Sequence, residues 1–165
     1  MATCWGDTIR YRMADRVSPE VRSRMMRAIR SRDTGPELAI RKGLHALGFR
    51  YSLHSRLPGR PDLVLRKYRA IVWVHGCYWH GHDCNQTRLP QSNQSYWHPK
   101  IAGNRERDQR NRTAVEAVGW RSLTVWDCCL RGKDAPGIEK VVLATAEWLR
   151  SYAASAEMTR DSLTA

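Results

Sequence analysis

Residues 73–84 read WVHGCYWHGHDC, and five side chains between 75 and 84 can bind a transition metal: His75, Cys77, His80, His82 and Cys84. A tetrahedral zinc takes four donors, and a structural site rarely draws all of them from so short a run. The fold must therefore bend this stretch and bring a further donor from elsewhere. Cys77, His82 and Cys84 supply two thiolates and an imidazole, and WDCCL (126–130) offers Cys128 or Cys129 at the end of a strand. The competing reading, buried free thiols with surface histidines, fits poorly with cysteine and histidine at this density.

If zinc takes those four, His75 and His80 are left over. An imidazole beside a bound water is a natural general base, although a lone histidine is more often structural. Tyr78 and Trp79 sit among the donors, on what reads as a loop, and could either pack internally or be displayed to stack on bases. The sequence leaves both uses open, but the charge of the chain is informative. Lys+Arg is 28 against Asp+Glu 16, a formal charge of +12, with 23 arginines to 5 lysines. That excess suits a polyanion partner, DNA or RNA first, even if a GC-rich genome accounts for the preference for arginine.

At 165 residues the chain suits one domain. It contains no run near the ~18–20 apolar residues of a membrane span. MATCWGDTIRYRMADR at the start has no signal-like apolar core, so a cytoplasmic protein is expected. Five cysteines in a reducing compartment favour metal binding over disulfides.

Ser18 and Pro19 open a short basic helix whose Met25, Met26 and Ile29 form an apolar stripe, either a solvated helix or a DNA-facing arm. TGPELAIRKGLHALGF (34–49) predicts a helix with a Thr34–Glu37 capping box, an apolar face of Leu38, Ile40, Leu44 and Leu47, and a stop at Gly48. DLVL (62–65) and AIVWV (70–74) predict a hairpin of buried strands. Residues 85–99 read as a loop. Residues 100–118 read as a helix with Lys100, Asn104 and Asp108 on one face, and 120–126 as a strand. Ile138, Val141, Val142, Trp148 and Leu149 mark a C-terminal amphipathic helix, and the small polar residues from 154 predict a disordered tail. Helices alternating with strands indicate one α/β layer structure. PGRPDLVL delivers Asp62 to the start of a strand, where it could anchor Mg²⁺ or merely complete the turn.

RPDLVL, YRAIVWVHGCYWHGHDC, YWHPKI, VGWRSLTVW and the WDC of 126–128, in this order, closely resemble the very short patch repair (Vsr) endonucleases over about Ser23 to Gly132. The resemblance implies a restriction-endonuclease-like α/β domain at 18–153, with a central mixed β-sheet flanked by helices and a structural zinc. Residues 1–17 would be an extension. It implies a monomeric enzyme that nicks double-stranded DNA 5′ to the thymine of a T·G mismatch, the product of 5-methylcytosine deamination, using Mg²⁺. It also leaves room for a mismatch-repair protein partner. By position, Asp62 and the Val74 main-chain carbonyl would hold Mg²⁺, and His80 would activate water. His75 would be oriented by Asp108, with Glu37 nearby as a cap or outer-shell ligand. Zinc would fall to Cys77, His82, Cys84 and Cys128, with Cys129 as the neighbouring alternative. Met26, Tyr78 and Trp79 would wedge into the duplex, and Lys100 and Asn104 would read the wobble pair. A zinc-stabilised DNA-binding protein without hydrolysis, or a nuclease without mismatch selectivity, are the alternatives.

Overall fold

The two apolar runs either side of RKYR pair as an antiparallel hairpin, β1 (Leu63–Leu65) against β2 (Ala70–His75), with Leu63 opposite Val72. A single 3-10 turn, Arg66–Tyr68, joins them. β2 then pairs in parallel with β3 (Arg121–Trp126), and β3 in parallel with β4 (Ala156–Met158), so the mixed four-stranded sheet has the order β1-β2-β3-β4. Both faces of β2 are covered, which explains its unbroken apolar sequence. The computed structural model describes residues 18–28, 32–84, 87 and 93–164. The chain divides into two units, 1–32 and 33–165, which are described separately.

In the first unit α1 (Pro19–Ala28) starts where Ser18 accepts the Val21 N–H and Pro19 occupies the first turn. The second unit holds α2 (Gly35–Ala46), α3 (Cys77–His80), α4 (Gln94–Ala117), α5 (Ile138–Ser151) and α6 (Arg160–Thr164) around the sheet. On one sheet face Ile40 and Leu44 of α2 and Val141 and Leu149 of α5 meet Leu63, Val72 and Leu123, all fully buried. Each such side chain contributes roughly 1.5–3 kcal/mol of burial. The opposite face packs Val64, Ile71 and Trp73 against Val115 of α4. This arrangement is the flanked mixed sheet that the sequence resemblance implies.

Four expectations need correction. Residues 156–158 are a paired edge strand, because backbone hydrogen bonds to β3 and the burial of Met158 order a segment whose composition is merely polar. α4 begins at Gln94 and carries Pro99 inside it. A proline forfeits one helical hydrogen bond, but the helical course lets Trp97 pack on Tyr78 and Trp79. Tyr78 and Trp79 lie on a helical turn where a loop is expected. Leu38, Leu47 and Ile138 are each about two-fifths exposed, so the apolar stripes of α2 and α5 are narrower than their periodicity suggests. Among the described residues no helix is long and apolar enough to cross a membrane.

Candidate active site and metal centre

β2 runs directly into the donor-rich segment, and its local geometry sorts the five donors. The Trp79 and His80 amides both bond the Gly76 carbonyl, closing α3. Gly81 ends it at φ 64, and a Cβ there would come within 2.5 Å of Ile101 Cγ2. Only glycine makes that turn so close to α4. The chain then doubles back, and the His82 amide bonds the Cys77 carbonyl. Thr87 braces the next turn, its hydroxyl meeting the His82 and Cys84 carbonyls at 2.5 Å each.

This doubling back brings Cys77, His82 and Cys84 beside Cys128, which follows β3. The four donor atoms all lie within 4.8 Å of one another. Cys128 Sγ is 3.7 Å from His82 Nδ1, and the Cys128 amide donates to Cys77 Sγ at 3.3 Å. Burial pushes the Cys77 thiol well above its usual range, and three thiols and an imidazole converge here. The donor set fits a tetrahedral metal of zinc type. Cys129 points away into the core, where its thiol donates to the Met158 carbonyl at 3.1 Å and burial raises it to about 12.

His75 and His80 lie next to this cluster and stack, ring centroids 3.8 Å apart and planes at 8°. His80 Nδ1 is 2.6 Å from Asp108 Oδ2. The expected His75–Asp108 pairing is thus corrected. His75 closes a strand, whereas His80 sits one helical turn nearer α4 and takes the carboxylate. Burial would raise the Asp108 carboxyl, but the His80 hydrogen bond and the electrostatic pull of His80, His75 and Arg107 together outweigh it and hold Asp108 below the ordinary range. An ionised Asp108 accepts the Nδ1–H, which leaves the His80 Nε2 lone pair free. Burial, then the neighbouring His80, lowers His75 to about 3, so it is neutral. His75, His80 and Asp108 could be read as a second metal trio. Two nearly parallel rings, however, cannot aim their in-plane lone pairs at one ion, and the trio is better built for proton handling.

Asp62 lies where β1 stops short of the end of β2. Its Oδ2 accepts the Val74 N–H at 2.7 Å, a group left uncovered because the hairpin register begins at Leu63 and Val72. The N–H and C=O of one strand residue project to the same edge, so the Val74 carbonyl faces the side Asp62 occupies. Burial raises Asp62 to about 6 against the lowering effect of that hydrogen bond; Glu37 adds to the rise, and Arg41 and His80 oppose it. A buried carboxylate and a carbonyl are oxygen donors that suit Mg²⁺. Glu37 is 4% exposed, and both its oxygens are engaged: Oε1 by the Thr34 hydroxyl, Oε2 by the Asp33 amide and Arg41. The acidic group reaches back to residue 33, so the expected capping box is displaced by one residue.

The remaining candidates diverge. Tyr78 and Trp79 are half-buried and edge-on at 5.1 Å, and both contact Trp97. Lys100 is exposed, but Asn104 is buried and donates to the Trp79 carbonyl at 2.7 Å. The Met26 side chain lies outside the described residues. Sequence reasoning missed Trp126, which stacks on His82 at 4.4 Å and 14°, and Arg41, whose i,i+4 spacing from Glu37 was a usable signal.

Comparison with known proteins gives matching results. Residues 14–86 match the family model for the DNA mismatch endonuclease Vsr. The chain is 50% identical over 117 residues to a type II nicking enzyme, V.XorIIP, of Xanthomonas oryzae pv. oryzae, covering 70% of this chain and 86% of that one. It is 38% identical over 147 residues to the DNA mismatch endonuclease Vsr of Escherichia coli, covering 88% and 94%. A Neisseria meningitidis type II nicking enzyme, V.NmeAIP, is 43% identical over 122 residues, covering 73% and 87%.

Proposed function

The chain belongs to the Vsr family of DNA mismatch endonucleases, and on that premise we propose that it nicks double-stranded DNA 5′ to the thymine of a T·G mismatch in a Mg²⁺-dependent hydrolysis. The observation that carries the chemistry is the 2.6 Å His80–Asp108 contact beside Asp62. Asp108 holds His80 in the Nδ1–H tautomer, and Nε2 takes the proton of the attacking water. His75, kept neutral, stacks against His80 and fixes its ring plane. Asp62 and the Val74 carbonyl would hold Mg²⁺, which when bound offsets charge developing on the scissile phosphate. Glu37 acts on Asp62 through its charge and anchors Arg41.

Cys77, His82, Cys84 and Cys128 would hold a structural zinc that braces the segment presenting His80 and the aromatic pair. Tyr78 and Trp79 would enter the duplex where a T·G step is cheaper to distort than a matched one, and Met26 of the first unit is a further candidate for contact with the DNA. Lys100, at the exposed end of the Asn104 and Asp108 face, would meet the DNA directly, while Asn104 keeps the Trp79 carbonyl in place. The molecule would act as a monomer in the cytoplasm and could hand its nick to a mismatch-repair protein. Duplexes labelled on either strand, carrying T·G or T·A in one context, test this with Mg²⁺ present. A single nick 5′ to the mismatched thymine is expected. Nicking of both duplexes alike would leave a nuclease without mismatch selectivity, and lasting absence of nicks would leave a DNA-binding protein.

A further inference from the structure

Glu157 lies on β4, in the segment whose composition suggests a tail. Its carboxylate accepts the Trp126 indole N–H at 2.8 Å and Arg112 Nη2 at 2.6 Å. Burial would raise this carboxyl, but those two partners prevail and hold it low. Arg112 also donates to Thr124 Oγ1 at 3.1 Å, and it sits one helical turn beyond Asp108 on α4. The same helix therefore supplies the carboxylate on His80 and the guanidinium on Glu157.

Trp126 is the centre of the arrangement. One indole stacks on His82 and meets His75 edge-on at 5.5 Å and His80 at 6.5 Å. It is 8% exposed, and an indole N–H is a donor with no alternative role, so losing its acceptor leaves a buried donor unsatisfied or forces the ring to turn. Turning the ring would disturb the His82 imidazole and both stacked histidines together. All of these groups border one cavity of about 540 Å³.

We infer that Glu157 is a positioning residue: by accepting the Trp126 indole N–H it sets the orientation of the ring against which His75, His80 and His82 pack, coupling the metal centre to the histidine pair. The inference rests on the nicking activity proposed above. The simpler possibility is that the Glu157–Arg112 ion pair merely pins α4 to the sheet edge.

Two substitutions separate these. Glu157→Gln keeps an acceptor for the indole but removes the ion pair, whereas Glu157→Ala removes both. Positioning predicts that Glu157→Ala lowers kcat about tenfold or more with KM within about twofold, since misoriented groups cost rate more than binding. Glu157→Gln should restore most of the rate. Zinc content should stay at the wild-type level in both, and the histidine ring ¹H–¹⁵N resonances of His75 and His80 should move in Glu157→Ala while remaining near wild type in Glu157→Gln. Equal impairment of the two variants, or an unchanged kcat and unchanged ring resonances in Glu157→Ala, would overturn the inference. If wild type itself does not nick, the proposed function fails, and the ring resonances alone decide the coupling.

Discussion

His75 and His80 stack ring on ring at 3.8 Å, yet Asp108 engages His80. A carboxylate on Nδ1 commits the partner imidazole to one tautomer, so the base function proposed above is assigned to His80 by the Asp108 contact.

Asp108→Asn should therefore lower single-turnover nicking on the order of 10²–10⁴-fold, the range that a positioned general base contributes. Combined with His80→Ala it should add almost nothing, because the two residues act as one unit. A double variant showing the full product of the two single losses would contradict the pairing.

Asp62 predicts a pH effect on stability in the protein without Mg²⁺. Its pKa stands at about 6 in the fold against 3.8 ordinarily, so the folded state binds the proton more tightly. The group's contribution to stability is intact below the unfolded value and is lost as pH rises through about 6. Asp62→Asn should consequently be more stable than wild type at pH 7.5, by on the order of 2–3 kcal/mol, and show little gain at pH 4. Thermal melts at the two pH values check this. Equal gains at both would mean that the carboxylate carries no buried-charge penalty.

Local signals made much of this legible in the sequence. Alternation and turn residues locate the β1–β2 hairpin, and the spacing of Cys77, His82 and Cys84 within eight residues foreshadows their convergence with Cys128. Contacts set by distant pairing were not legible. Nothing local says that Glu157 will lie beside Trp126, since that requires β4 to join β3 in register. Whether His75 or His80 meets Asp108 depends on where α4 crosses the end of β2, which spacing along α4 alone does not determine. Pro99 misled for a related reason: packing of Trp97 on the α3 aromatics extends α4 past the residue that usually marks a boundary.

The two adjacent cysteines after β3 make opposite predictions. Cys77→Ser or Cys128→Ser should lose bound zinc and fold less stably, as metal binding and folding are linked. Cys129→Ser should keep the metal and lose only modest stability, since its thiol serves the Met158 carbonyl in the core. Metal analysis of the purified variants checks this, and zinc loss from Cys129→Ser would reassign the fourth ligand.

Trp79 offers the clearest test of mismatch selection. Its ring is half-buried against Tyr78 and Trp97, and its carbonyl is fixed by Asn104. The backbone is thus held independently of the indole, and removing the ring leaves that hydrogen bond available. A base–aromatic stack is worth about 1–3 kcal/mol, so Trp79→Ala should reduce affinity for a T·G duplex roughly 5- to 150-fold. Affinity for the matched duplex, which rests on phosphate contacts by the basic surface, should change little. Both should weaken steeply as salt rises. Titrations of the two duplexes at fixed and varied salt measure the difference; an equal loss on both would place Trp79 in general DNA binding or in folding, and would remove it from the recognition of the mismatch.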